Sequence, residues 1–424
     1  MATAASAAPA ARNDPRAVRM AIIAFLQYNL TLACIWGSFS VLLSAVETRL
    51  GVGRQLSTLA VPVLNLATAG LAAVVGALAT RTSMRLVMVV GAAFAVAGFA
   101  LLALTRSYAL YLVAYGALIG PAMAVAVVMA PTLVTRWHRV NRGRTLGLVT
   151  TPVAVAVLPL LSNWMLQAHG VAATYAMLAG LAVVPLLAAL FVAEPPAEAQ
   201  SAPAQAAHGH APATGAASPA GAGVAQIARA PQFWAFAAAF MTSAAGAIVL
   251  TAHMVPMARA WGYSATLAAT LLSAQSFAGM AGTVVFGWIA DRLGSARAFG
   301  LLVFDTAVLW CLLLLPLPFP LALALVAAIG VHGAGAVPVM SAALSEAFGA
   351  ESFSRAYGLA NLVNLPVSVV CVPAAAWAYA RTGSYAAVIV TVAAMSLLAA
   401  LFVLTAGGAR RPAAVSQAAE RGAA

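Results

Sequence analysis

Asp305 and His332 are the two side chains of this sequence best placed to exchange a proton away from water. Asp305 is the one acid inside a long apolar stretch, about 12 Å past Arg297 by helical rise, which is near mid-depth if that stretch crosses lipid. A carboxyl group there costs about 2.5–3.5 kcal/mol on insertion scales, so a functional or paired role is the default expectation. His332 lies in the following stretch and is the expected partner. The competing readings are a structural hydrogen bond for Asp305 and simple packing for His332. His253 ends another apolar stretch, a position for a gate or rim. Polar residues at central depth make a second group, the candidates to touch a solute: Tyr28, Asn29, Asn65, Tyr115, Gln275, Asn361 and Asn364. Hydrogen bonding between helices is the plainer role for any one of them.

Chemistry of other kinds is excluded by composition. Only three Asp occur in the chain (Asp14, Asp291 and Asp305), which leaves no aspartyl dyad in the membrane. Neither a His-Glu-x-x-His run nor a nucleotide-binding loop is present, and the latter needs a Lys that the sequence lacks altogether. No enzyme, cofactor or metal site is therefore expected. His208 and His210 read as incidental members of a linker. Cys34, Cys311 and Cys371 fall inside apolar stretches and read as buried thiols without disulfides.

The elements that must position these residues are twelve apolar stretches, near 20–45, 56–80, 86–104, 109–135, 145–167, 172–193, 232–257, 265–290, 298–317, 319–345, 356–380 and 385–406. About 20 apolar residues span the roughly 30 Å hydrocarbon core as a helix. Barrel strands would instead alternate over about ten residues. With 64% hydrophobic and 7% charged residues, no large aqueous domain fits in the chain. The expected fold is an all-α polytopic membrane protein of twelve helices in two six-helix bundles, residues 20–193 and 232–406. A tail of residues 1–19, a disordered Pro/Ala-rich linker of residues 194–231 and a tail of residues 407–424 complete it. The first stretch is too long for a cleaved signal and reads as helix one.

The +12 net charge points to topology and not to nucleic acid. Sixteen of the 21 basic residues, all Arg, fall on one side: Arg12, Arg16, Arg19, Arg81, Arg85, Arg136, Arg139, Arg142, Arg144, Arg229, Arg292, Arg297, Arg355, Arg410, Arg411 and Arg421. Arg49, Arg54, Arg106, Arg259 and Arg381 fall on the other. The positive-inside rule then places both termini and the linker in the cytoplasm. The expected location is a bacterial inner membrane, with the lipid bilayer and a small solute as partners, no nucleic acid, and a functional monomer.

The halves repeat. Gly76-Ala-Leu-Ala-Thr-Arg81 and Gly287-Trp-Ile-Ala-Asp-Arg292 stand 211 residues apart, as do Gly147 and Gly358. Parallel repeats of this kind are a secondary-transporter layout. The loop Gly287-Trp-Ile-Ala-Asp291-Arg292-Leu-Gly294-Ser-Ala-Arg297 resembles the signature of the major facilitator superfamily. In the first half Thr80 replaces the Asp. The resemblance implies a cytoplasmic gate built from Asp291, Arg292, Arg297, Arg81, Arg142 and Arg144, with Asp291 facing the start of the fifth helix. It also implies that helices one, four, seven and ten line a central cavity.

Within that superfamily the chain resembles the monocarboxylate and oxalate/formate antiporter branch, on several motifs. They are Trp137 with Arg142-Gly143, Pro231-Gln-Phe-Trp234, His253-Met-Val-Pro256, Ser345-Glu346, and Thr382-Gly-Ser-Tyr385. Two departures follow from the same comparison. The branch's substrate-pairing Arg aligns with Thr283, and a proton-linked acid aligns with Gly279. The expected function is secondary transport of a small organic solute, monocarboxylate-like or weakly charged to neutral, linked to protons or by exchange. Proton-driven efflux of hydrophobic compounds is the alternative. Gly120-Pro121 and Pro366 are the expected kinks.

Overall fold

The computed structural model describes residues 16–138, 142–193 and 223–406, and these are helical with no strand among them. We number the membrane helices α1 (Arg16–Leu50), α2 (Arg54–Thr58 and Ala60–Arg81), α3 (Met84–Leu104) and α4 (Tyr108–Trp137). They continue with α5 (Arg142–Thr150 and residues 153–169) and α6 (residues 171–189). The second half holds α7 (Pro231–Ala260), α8 (Ala265–Leu293), α9 (Ser295–Leu312), α10 (Phe319–Phe348), α11 (Ala350–Thr382) and α12 (Ala386–Ala406).

Eleven described segments are long and apolar enough to cross a membrane. One of them, Thr145–Ala189, has 45 residues, more than twice what a single crossing needs. It breaks at Gly170, whose φ of 79° suits a residue without a Cβ, and this break separates α5 from α6. Twelve crossings result.

Kinks follow local chemistry. A π turn at Ala114–Ile119 precedes Gly120-Pro121 in α4, absorbing the ring that would collide with the preceding turn. A second π turn, Ala33–Gly37, interrupts α1 without any proline, and Ser38 Oγ donates to the Cys34 carbonyl beside it. α1 also runs past the apolar stretch to Leu50, so Glu47 rides on a membrane helix. Asp305 is therefore not the only acid on such a helix. The segment before α7 is not wholly linker: Val224–Arg229 form a short helix whose buried Ile227 packs on the second half. The expected N-terminal tail gives up residues 16–19 to α1, while residues 1–15, 194–222 with His208 and His210, and 407–424 lie outside the described residues.

Small residues set the closest packing. A Cβ at Gly282 of α8 would overlap the Val331 carbonyl of α10, and one at Gly330 would overlap the Gln275 carbonyl. Association of helices in lipid relies on such close backbone approach, since lipid tails are as apolar as the side chains they replace. α8 and α10 thus form a pair whose backbones touch.

The buried apolar clusters divide by depth. At the end bearing the α2–α3 and α8–α9 turns, one cluster draws only on the first half (Met20, Met84, Met129, Trp137). Its counterpart draws only on the second (Phe233, Phe299, Met340, Leu344). At the opposite end the clusters mix: Val41 joins Met254 and Leu272, while Ala252 and Val372 join Phe39 and Tyr115. The halves meet at one end and part at the other.

Candidate functional site

Between the halves lies a cavity of about 1220 Å³. Tyr28, Leu32 and Trp36 of α1 and Leu148, Thr150 and Val155 of α5 wall one side. Thr251 of α7, Gln275 and Thr283 of α8, and Ile329 and Gly333 of α10 wall the other. Val18, Leu148 and Val284 line the mouth and are 64%, 69% and 73% exposed, so the cavity opens at the end where the apolar clusters part. α5 and α8 take wall positions that the resemblance gave to α4. α4 contributes only His138, the residue just past its end, and α11 contributes nothing among the described residues.

No Asp, Glu or Arg appears among the described lining residues. His138 adds no fixed charge either, because burial lowers its pKa, a hydrogen bond to the Val134 backbone only opposing that. The polar inventory is thus neutral. Gln275 Nε2 donates to Thr251 Oγ1 at 2.9 Å, while Thr251 Oγ1 donates to the Ala247 carbonyl at 2.8 Å. That hydroxyl can only accept from Gln275, which fixes the amide orientation. Gln275 Oε1 is left buried with no hydrogen-bond partner.

The other expected cavity residues have different work. Asn29 ties α1 to α5, its Nδ2 donating to the Val149 carbonyl (3.1 Å) and its Oδ1 accepting from Ala154 N–H (3.4 Å). Asn65 reaches from α2 to the Ser368 carbonyl of α11 at 3.4 Å. Tyr115 is buried among Phe39 and Tyr111. Asn361 and Asn364 bond within α11, to the Tyr357 carbonyl and to Ser368 Oγ. None of the five lines the cavity.

Of the two positions where the resemblance implies charges, packing explains Gly279. A Cβ at Gly279 would stand 3.2 Å from the Gly330 carbonyl oxygen, so a longer acid would force α10 away. Thr283 is exposed and lines the cavity.

Asp305 and His332 do come together. Nε2 of His332 lies 3.7 Å from an Asp305 oxygen, while its Nδ1 donates to the Ala328 carbonyl at 2.8 Å and Phe286 packs on the ring. Neither lines the cavity, and the Asp305 side chain is 40% exposed.

Asp291 is exposed and makes no ion pair among the described residues. Arg292 stacks over Trp288 of its own helix at 3.9 Å, and Arg297 and Arg81 are exposed. The side chains of Arg142 and Arg144 lie outside the described residues. The carboxylate at the start of α9 is Glu346 instead, which accepts from Ser295 N–H (3.4 Å) and Ser295 Oγ and so pins α9 to α10. A carboxylate there complements the helix N-terminus.

The opposite end is held by Glu47 and Arg54, which pattern reading passed over as a pair, together with Tyr385 and with His253, the residue read above as gate or rim. Glu47 and Arg54 form a forked pair (2.8 and 3.4 Å) with side chains 18% and 15% exposed. Arg54 then crosses to the second half, donating to Tyr385 Oη at 3.2 Å and stacking over Tyr379 at 4.5 Å. Tyr385 meets His253 Nδ1 at 3.2 Å, and His253 Nε2 meets the Val372 carbonyl at 3.1 Å. Val255 N–H adds a bond to Ser40 Oγ, and Asn163 one to Thr266. An acid and a base seven residues apart, across a Gly-x-Gly turn, were the available signal.

A cavity between two six-helix halves, closed at one end and open at the other, is the geometry of alternating access. No curated protein matches the chain. The family description Major Facilitator Superfamily matches residues 24–256 and again residues 243–423, two matches that overlap within α7. On the twelve crossings, the repeated halves and these two matches, the chain belongs to the Major Facilitator Superfamily of membrane transporters.

Proposed function

We propose that this transporter carries a small, uncharged or weakly charged organic solute bearing a hydrogen-bond donor, and that the conformation described is open to the cytoplasm. The observation that carries the reading is the cavity: about 1220 Å³ with no fixed charge among its described lining residues. Burying a carboxylate without a cation leaves its charge largely uncompensated, which disfavours dianions such as oxalate. A monocarboxylic acid fits in its neutral form. Its O–H, or the O–H or N–H of a neutral metabolite, would match the orphan Oε1 of Gln275. The excess of Arg at the open end supports a cytoplasmic mouth, with both termini and residues 194–231 on that side. Asp305 and His332 are the proposed site of proton linkage, and the protein acts as a monomer in a bacterial inner membrane. The largely apolar walls, with Leu32, Trp36, Val155 and Ile329, favour the second reading, proton-driven efflux of hydrophobic compounds.

Thermal stabilisation of the purified protein separates the two. Neutral donor-bearing metabolites and monocarboxylates at low pH should raise the unfolding temperature. Preference for a dianion would defeat the first reading, and preference for large hydrophobic compounds would install the second. Uptake into proteoliposomes with the selected solute then gives direction.

A further inference from the structure

We propose that His253 is a proton-binding site in the closed end of the transporter, and that taking up a proton there holds that end open.

The argument starts from which atoms can donate. Val372 O is a carbonyl and only accepts, so His253 Nε2 carries the ring proton. His253 Nδ1 is then a bare acceptor, and Tyr385 O–H donates to it. The Tyr385 oxygen in turn accepts from Arg54, which Glu47 holds from behind. Each group has one role, and the chain runs from Arg54 through Tyr385 and His253 to Val372.

A proton added to Nδ1 reverses one link. Two donors would then face the Tyr385 oxygen, and the tyrosine proton would lose its acceptor. A second cation would also sit one residue away from Arg54 with Glu47 as the only acid in the network. His253 is fully buried, so solvent screens the pair only from the partly exposed Arg54 side. The other titratable groups on the elements packed there are Tyr379, tilted against Tyr385, and the Cys371 thiol of α11. The closed end therefore accommodates only neutral His253.

Opening separates Arg54 from Tyr385 and admits water to the ring, and Nδ1 can then take a proton from that face. By linkage, the state that binds the extra proton gains population as pH falls on that side. The bias reaches about tenfold per pH unit once the medium is below the open-state value of the histidine. Acid outside would thus favour the state that loads from outside.

The test uses the full chain in lipid nanodiscs. Native cysteines are replaced, and spin labels are placed at the exposed positions Thr48 of α1 and Ala387 of α12. Between pH 8 and pH 5 the long-distance, open population should grow, approaching tenfold per unit. His253→Gln, whose amide can keep both bonds without titrating, should abolish that slope, while His169→Gln, at an exposed histidine outside both the cavity and this network, should keep it. Tyr385→Phe removes the hydroxyl that excludes the proton and should flatten the slope, which guards against misfolding of the first variant. No slope in the parent chain, or an undiminished slope in His253→Gln or Tyr385→Phe, overturns the assignment. The proposal rests on alternating access, and distances that stay short at every pH and with every solute would overturn both.

Discussion

Replacing Arg54 should open the closed end by a predictable amount. Its bonds divide into those within the first half, to Glu47, and those that cross, to Tyr385 at 3.2 Å and to the Tyr379 ring at 4.5 Å. Only the crossing set contributes to holding the halves together. A hydrogen bond to a charged donor is worth about 1.5–3 kcal/mol, and partial exposure of this side chain places it toward the low end. A cation–π contact at such a site adds about 0.5–1 kcal/mol. The crossing set therefore amounts to about 2–3 kcal/mol, or roughly 30- to 150-fold in the ratio of closed to open, at 1.4 kcal/mol per tenfold. Arg54→Gln should shift the equilibrium toward opening at that end by that factor, read as distances between labels at Thr48 and Ala387 or as alkylation of a cysteine placed beneath the latch. Arg54→Lys should fall between, since an ammonium keeps the charge but not the planar fork. A change below about threefold in Arg54→Gln would mean that the mixed apolar clusters close this end unaided, and the latch would be ornamental.

Gly282→Val should lower the unfolding temperature by several degrees, because its side chain meets the Val331 carbonyl in a seam that has no slack. Gly180→Ala, with open space around it, should not, and equal effects would defeat the account of the α8–α10 contact. Thr283→Arg should create stabilisation by ionised carboxylates at neutral pH that the parent chain lacks, and an unchanged ligand profile would show that this position does not face the solute path. Asp305→Asn and His332→Gln should each lose solute-driven proton movement in vesicles while retaining solute exchange. Full pH-dependent accumulation in both would make the pair structural.

The helices were legible because crossing lipid is a property of one stretch at a time. Apolar length alone placed the third span at 86–104, against Met84–Leu104 in the structure, and the seventh at 232–257, against Pro231–Ala260. The pairing of Asp305 with His332 was legible for a related reason, since a carboxyl group in an apolar helix needs a polar neighbour. What a side chain faces was not legible. Asn29, Asn65 and Tyr115 have the depth of cavity residues, yet the azimuth of each is set by its helix's neighbours, and all three turn into helix contacts.

The sequence by itself determined the number of crossings, the duplication into halves and the scarcity of charge within the membrane. Composition and apolar run length carry these, and neither depends on a distant residue. Only the tertiary structure decided which end is shut and by what. Arg54 and Tyr385 stand 331 positions apart, and no local pattern links them. The neutral cavity and the orphan oxygen of Gln275 likewise exist only where five helices of two halves converge. Their existence follows from how rigid bundles pack, a long-range outcome that no single stretch of chain encodes.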